Sequence, residues 1–386
     1  MDLTYSEADE QFRAEFRGWL DANLPAEWRE RGFWARQDRD EGFQMRREWE
    51  AEKARAGFAG IQWPTEFGGR GGTPAQRAIY DEEMVRYRAP LTVNGLGLTF
   101  LAPTIMVIGS DEQKRDIIKP LLHNEVIWCQ GFSEPNAGSD LAALQCRAES
   151  DGDEYVINGQ KIWTSQAMHA DKMFGLFRTS TEDKKHRGIT MLIVDLRSPG
   201  VEIRPLKQMT GALDFGEVFF TDVRVPKTDV IGVEGGGWDV AMLLLSFERG
   251  ASAMPQYTAF RRELDDVVGL ARDLGKDKNS LLRQRIASSV VELECLKYHS
   301  LHILTQVEQG KELGAASSMT KLQWSETHQD IGELFADVAG IAHQITGDGV
   351  DDLQRSFLWS RSETIWGGSS QVQRNIVAER VLGLPR

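Results

Sequence analysis

Ser133-Glu134-Pro135-Asn136-Ala137-Gly138-Ser139-Asp140 closes a strand-like run, and Asn158-Gly159-Gln160-Lys161-Ile162-Trp163-Thr164-Ser165 follows one strand later. Around these two stretches, from Val126 to about Val225, short runs rich in Val, Ile, Phe and Tyr alternate with turn residues: EVIWCQGF, DEYVINGQKIW, MFGLFRT, ITMLIVDL, VEIRPL and EVFFTDVRV. Turn signals return about every ten residues, the rhythm of a compact β-barrel or sandwich. Val225-Pro226 and the EGGG run at Glu234–Gly237 close the block.

The flanks carry a helical pattern. Ser6 followed by Asp9 is a capping-box-like start, after which Phe12, Phe16, Trp19 and Leu20 share one face of a helix ending near Pro25. Trp63-Pro64 and the GGRGG cluster from Gly68 to Gly72 mark a loop, and helical patterning runs from about Pro74 to about Leu122. Beyond Trp238 the sequence predicts helices over Asp239–Phe260, Leu281–Gln309, Met319–Ile341 and Ser369–Leu382. The expected architecture is α+β and multidomain: an N-terminal helical domain (1–122), a middle β domain (123–233) and a C-terminal helical domain (234–386).

Composition narrows the function. The 386 residues carry 45 Lys+Arg against 58 Asp+Glu, a net charge of −13, which argues against a nucleic-acid or anionic-membrane surface. Three scattered cysteines (Cys129, Cys146, Cys295) form neither a disulfide framework nor a metal-ligand spacing, so a reducing, cytoplasmic compartment and no metal are expected. The acidic start MDLTYSEADEQF has no apolar signal core, and no apolar run reaches the roughly 18 residues that span a bilayer. A soluble protein is the expectation.

Common catalytic fingerprints are missing. No G-x-G-x-x-G leads from a strand into a helix, Gly269…Gly275-Lys276-Asp277 has the wrong spacing for a P-loop, and there is no G-x-S-x-G elbow. The seven histidines make no H-E-x-x-H; His299 and His302 share a helical face and read as ordinary histidines. The two opening stretches are different. Loop backbone with small and hydroxyl residues suits a flat polar ring system, with an indole as a stacking wall.

Several long motifs in order resemble the acyl-CoA dehydrogenase family of flavoproteins over nearly the whole chain: WPTEFGG (Trp63–Gly69), IGSDEQKRDIIKPLL (Ile108–Leu122), GFSEPNAGSDL (Gly131–Leu141), NGQKIWTS (Asn158–Ser165) and GGSSQVQRNIVAERVLGLPR (Gly367–Arg386). The resemblance implies a C-terminal four-helix bundle and FAD held between the middle domain and that bundle. Phe132, Ser133, Trp163 and Ser165 match family flavin contacts, Ser133 toward the pyrimidine side and Ser165 near N5. Ser369 and Gln371 of the last motif are carried over as further flavin-binding positions, and Ser139 matches a position near the acyl-CoA. The implied reaction introduces a trans double bond between Cα and Cβ of a CoA thioester, a carboxylate removing the α-proton as the β-hydride moves to the flavin. Electrons would pass on to an electron-transfer flavoprotein.

The family pattern breaks at two places. Many members carry the base as the Glu of a Tyr-Glu-Gly-Thr stretch, where this chain reads Trp366-Gly367-Gly368-Ser369. A second family solution, similar to Leu-Glu-Arg, matches Phe247-Glu248-Arg249. Glu248 is therefore the expected base, in an apolar helix where desolvation would raise its pKa. Glu363 is the reserve candidate, Arg249 matches a site-shaping arginine, and Gly367 keeps the backbone N–H that faces the developing enolate oxygen. The second break is the family's Arg-x-x-Phe-Gly…Gln stretch, which holds a neighbouring subunit's FAD pyrophosphate. Here the region from Leu274 to Arg285 lacks it, leaving Arg283 or Arg285 as substitutes. The resemblance then implies a tetramer of mixed α2β2 type, like actinobacterial dehydrogenases of steroid side-chain or other bulky acyl-CoA thioesters. A non-catalytic scaffold subunit and a flavin acyl-CoA oxidase are the alternatives.

Overall fold

The computed structural model describes residues 5–30, 32–249, 254–311, 314–345 and 351–385; residues 35, 248, 249, 316 and 351 are described by their place in an element, without their side chains. Helices α1 (Glu7–Asn23), α2 (Arg39–Arg55), α3 (Pro74–Arg86), α4 (Ala102–Ile108) and α5 (Asp111–Leu122) come first. Strands β1 (Trp128–Gly131), β2 (Arg147–Asp151), β3 (Glu154–Ser165), β4 (Lys172–Arg178), β5 (Ile189–Asp195), β6 (Val201–Leu206), β7 (Phe215–Pro226) and β8 (Val230–Ile231) follow. Helices α6 (Gly237–Arg249), α7 (Met254–Asp273), α8 (Ser280–Glu308), α9 (Ala316–Ala339), α10 (Asp351–Glu363) and α11 (Ser370–Ile376) complete the chain. Among the described residues, no helix is long and apolar enough to cross a membrane.

Helix α1 starts on the expected capping box: Ser6 accepts from the Asp9 amide while the Asp9 carboxylate accepts from the Ser6 amide, and Phe12, Phe16 and Leu20 are buried. The expected helical stretch from Pro74 to Leu122 is broken. Pro90 disfavours helical backbone at Ala89, so α3 stops at Arg86, and Gly109 caps α4. The helix expected over Asp239–Phe260 is two: α6 ends at Arg249 and α7 begins at Met254.

The chain divides into two compact units that do not follow chain order: Phe43–Gly71 with Thr92–Glu248, and Met1–Gly42, Gly72–Leu91 and Arg249–Arg386. The first is built on one eight-stranded sheet in the order β6-β7-β3-β2-β4-β5-β8, with β1 parallel to β4. Its central strands are buried on both faces. From β4 and β5, Met173, Phe177, Leu192 and Val194 enter one core with Ala148, Tyr155, Ile157, Val218 and Phe220. Phe174, Leu176, Met191 and Ile193 point the other way, into a second core with Ile105, Ile118 and Leu121 of α4 and α5. Strand period 2 makes this sorting, and a sheet covered on both sides reads as nearly continuous apolar sequence.

Helix α6 belongs to that second core: Val240, Ala241 and Leu244 are enclosed with Trp128, Phe132 and Ile231. Full burial of a side chain such as Leu244 contributes about 1.5–3 kcal/mol toward holding the helix on the sheet. In the other unit α7, α8, α9 and α10 form the four-helix bundle around Phe260, Leu264, Leu293, Leu296, Ile331, Leu334 and Phe335. Helix α3 packs on α7, and α1 on α3. Arg13 and Arg17 of α1 both pair with the enclosed Glu83 of α3 at 2.8 Å.

Candidate active site

The sheet unit brings the two opening stretches together. Ile162 N donates to Ser133 O at 2.9 Å, joining the loop after β1 to the end of β3. Phe132 is buried and meets Phe174 edge-on, with centroids 6.2 Å apart. The β3–β7 register shifts between Lys161 and Thr164, and Trp163 adopts φ 58° there. That left-handed backbone is unusual for a bulky residue and turns the indole outward, 58% exposed and edge-on to Phe215. Ser133 and Ser165 are half-buried, and neither hydroxyl bonds elsewhere among the described residues.

Behind these residues lies an ion pair not anticipated from sequence. Lys161 Nζ lies 2.7 Å from Glu134 Oε1, with side chains 0% and 8% exposed. The Glu134 carboxylate also accepts from the amides of Gln145 at 2.6 Å and Cys146 at 2.9 Å. Burial lowers the Lys161 pKa from the ordinary lysine value, while Cys146 and Glu134 oppose the shift. Ser139 is exposed, beside Asp140, which accepts from Lys185 Nζ at 2.6 Å.

Glu248 and Arg249 stand in the last turn of α6, and their side chains lie outside the described residues. Their helix packs on the sheet, in the same core as Phe132.

In the helical unit Gly367 and Gly368 take φ 65° and 87°, a turn only glycine enters without strain. Gln373 Nε2 donates to Gly367 O at 2.9 Å and Gly368 O at 3.4 Å, fixing that turn. Ser369 caps α11, its Oγ accepting from Val372 N at 3.3 Å, while Gln371 is exposed. The reserve carboxylate Glu363 is committed elsewhere. It is buried, 2.5 Å from His328 Nδ1, and His328 Nε2 lies 2.9 Å from Glu263 and 2.8 Å from Ser356 Oγ. Phe260 stacks on the imidazole at 4.1 Å. Burial alone would lower the His328 pKa, but the hydrogen bonds to Glu263 and Glu363 raise it to about 9. Arg285 pairs with Asp337, and Arg283 Nη1 donates to Asp277 O at 3.4 Å. Sequence reasoning missed Gln373, His328 and the Lys161–Glu134 pair; Gln373 and the pair lie inside quoted motifs, while His328 left no such trace.

Three family models describe the chain in succession: acyl-CoA dehydrogenase, N-terminal domain, over residues 6–125; middle domain over 129–223; and C-terminal domain over 235–382. The acyl-CoA dehydrogenase IpdE1 of Mycobacterium tuberculosis is 42% identical over 379 residues, covering 98% of both chains. This chain belongs to the acyl-CoA dehydrogenase family. Among solved structures, the Tcur3481-Tcur3483 steroid ACAD superposes with a TM-score of 0.87 at 30% identity, covering 100% of both chains. The ChsE4-ChsE5 complex from Mycobacterium tuberculosis gives 0.85 at 30% identity and the same coverage. This acyl-CoA dehydrogenase is an oxidoreductase whose cofactor is FAD. Its residues fit that group: an outward-turned indole with two hydroxyls that have no other partner among the described residues is a set suited to a flat heteroaromatic ring.

Proposed function

We propose that this acyl-CoA dehydrogenase oxidises a bulky, steroid-side-chain-type acyl-CoA to its trans-2-enoyl-CoA with Glu248 as the base, passing electrons to an electron-transfer flavoprotein. The observation that carries the reading is the state of the alternative bases. The turn at Gly367 offers no carboxylate, and Glu363 is enclosed against His328. Glu248, on a helix sharing a core with Phe132, is the remaining family position.

At this site FAD, when bound, would supply the hydride acceptor. Glu248 takes the α-proton, so the Cα–H and Cβ–H bonds break as the double bond forms. Gly367 N–H donates to the thioester carbonyl oxygen, where negative charge develops. The Gln373 side chain keeps the Gly367-Gly368 turn in place for that role. Phe132, Ser133, Trp163 and Ser165 would hold the ring, with Ser369 and Gln371 as further cofactor positions. Arg249 shapes the substrate cavity, and Ser139 lies along the CoA.

The assembly we propose is an α2β2 tetramer in which a second acyl-CoA dehydrogenase subunit supplies the pyrophosphate arginine. Both local substitutes have partners within this chain, Arg285 with Asp337 and Arg283 with Asp277 O, which supports that reading. The steroid ACAD and the ChsE4-ChsE5 complex, both 30% identical, support the substrate class and the mixed assembly respectively.

Glu248→Gln should retain flavin and lose at least the ~10²–10⁴ in turnover typical of a general base; near-normal turnover refutes the assignment. Stoichiometric FAD in a homotetramer of this chain alone sinks the mixed assembly. Anaerobic flavin bleaching with short, long, branched and steroid acyl-CoAs identifies the substrate class.

A further inference from the structure

Lys161 carries a charge into a fully enclosed place, and no step of the reaction uses it. Its ammonium donates to Glu134 Oε1 at 2.7 Å and Phe132 O at 3.3 Å, and stands 5.2 Å over the Phe177 ring. Glu134 in turn collects the amides of Gln145 and Cys146. One ion pair thus gathers the backbone of Phe132–Glu134, the start of β2 and the bulged end of β3. Ile162 N on Ser133 O adds a parallel tie one residue along.

Stability alone is a poor reason for this arrangement. Two charges taken out of water lose solvation that their attraction only roughly offsets, and packed apolar residues of similar volume often serve as well. What an ammonium and a carboxylate add is direction: Lys161 donates to Glu134 and Phe132 O, and Glu134 accepts from Lys161 and from the Gln145 and Cys146 amides. Direction is what Trp163 needs. Its left-handed backbone is disfavoured for a bulky side chain and persists only where its surroundings over-determine it.

We propose that Lys161 and Glu134 form a positioning pair that sets the distance and orientation of Phe132–Ser133 relative to Trp163–Ser165, the two jaws that grip the FAD ring. The inference rests on assigning those four residues to the flavin. Lys161 and Glu134 act through their neighbours and touch no reacting atom.

The test is made on the holoprotein, stripped of FAD and titrated back. Lys161→Met/Glu134→Met leaves no unpaired buried charge, and Glu134→Gln keeps the carboxylate's volume. Both are compared with the parent in FAD affinity, in the shape of the bound flavin's visible band and in thermal unfolding. The expected result is a folded protein whose FAD affinity falls roughly 10–100-fold, the scale on which partners behind ligating groups act, with an altered flavin band. Unchanged affinity and band in a folded variant overturn the proposal, leaving a merely structural pair. Ser133→Ala and Ser165→Ala separate the premise from the inference. If they weaken FAD binding while the Lys161 and Glu134 variants do not, the positioning role alone is wrong; if they leave it intact, the flavin assignment falls and the proposal with it.

Discussion

Among the described residues, two of the enclosed charged centres, Lys161 with Glu134 and His328 with Glu263 and Glu363, are built in opposite ways. In the sheet unit, Lys161 and Glu134 lie 27 residues apart and come from the two stretches that dominate the sequence. In the helical unit, His328 meets Glu263 from 65 residues away and Glu363 from 35, each on a different helix. The first centre is a lysine–carboxylate pair between a loop and a strand. The second is an imidazolium between two carboxylates and the Ser356 hydroxyl, and a proton controls it. Strand pairing places residues at short sequence distance side by side, so a β site leaves a compact trace. Helix packing joins residues whose sequence spacing says nothing about their contact.

The largest expected effect is in the sheet unit. Lys161→Met strands the buried Glu134 carboxylate and should cost about 3–5 kcal/mol in urea unfolding, most of it recovered in Lys161→Met/Glu134→Met. A single-variant loss below about 1 kcal/mol would mean the pair is far less enclosed than its 0% and 8% exposure indicates.

The helical unit should differ in its response to pH. His328 has a folded pKa near 9 against an ordinary 6.5, so its contribution is fully present below pH 6.5 and is lost as pH rises through 9. A shift of that size corresponds to stabilisation on the order of 3 kcal/mol. Unfolding titrations across this window should show the decline in the parent and a flatter profile in His328→Gln. Equal slopes in the two proteins would remove His328 from the account.

The smallest effect belongs to the exposed Asp140–Lys185 pair, 58% and 61% exposed. Asp140→Asn should cost less than about 1 kcal/mol, and less still in high salt. A larger loss in the same unfolding measurement would show that enclosure is not what ranks these pairs.

Much of the fold was legible. The Ser6–Asp9 capping box, the run of short strands and the long C-terminal helices follow from local side-chain chemistry and periodicity, and the structure contains them. Helix ends were less legible. Ala89-Pro90 interrupts the predicted run, where apolar spacing continues across a break that backbone geometry forces, and α6 and α7 stand where one helix was expected. The absence of a carboxylate at Gly367 was plain in the sequence. That Glu363 is held against His328 was not, because the two lie on different helices.

By itself, the sequence determined the family and the α-β-α order of elements, since motifs and periodicity are properties of neighbouring positions. Tertiary structure alone decided that α6 packs on the sheet with Phe132, that Gly72–Leu91 belongs with the bundle, and that Lys161, Glu134, His328 and Glu363 are enclosed. Burial is a property of what surrounds a side chain in three dimensions. The free energy of a charge depends on that enclosure far more than on its place in the chain.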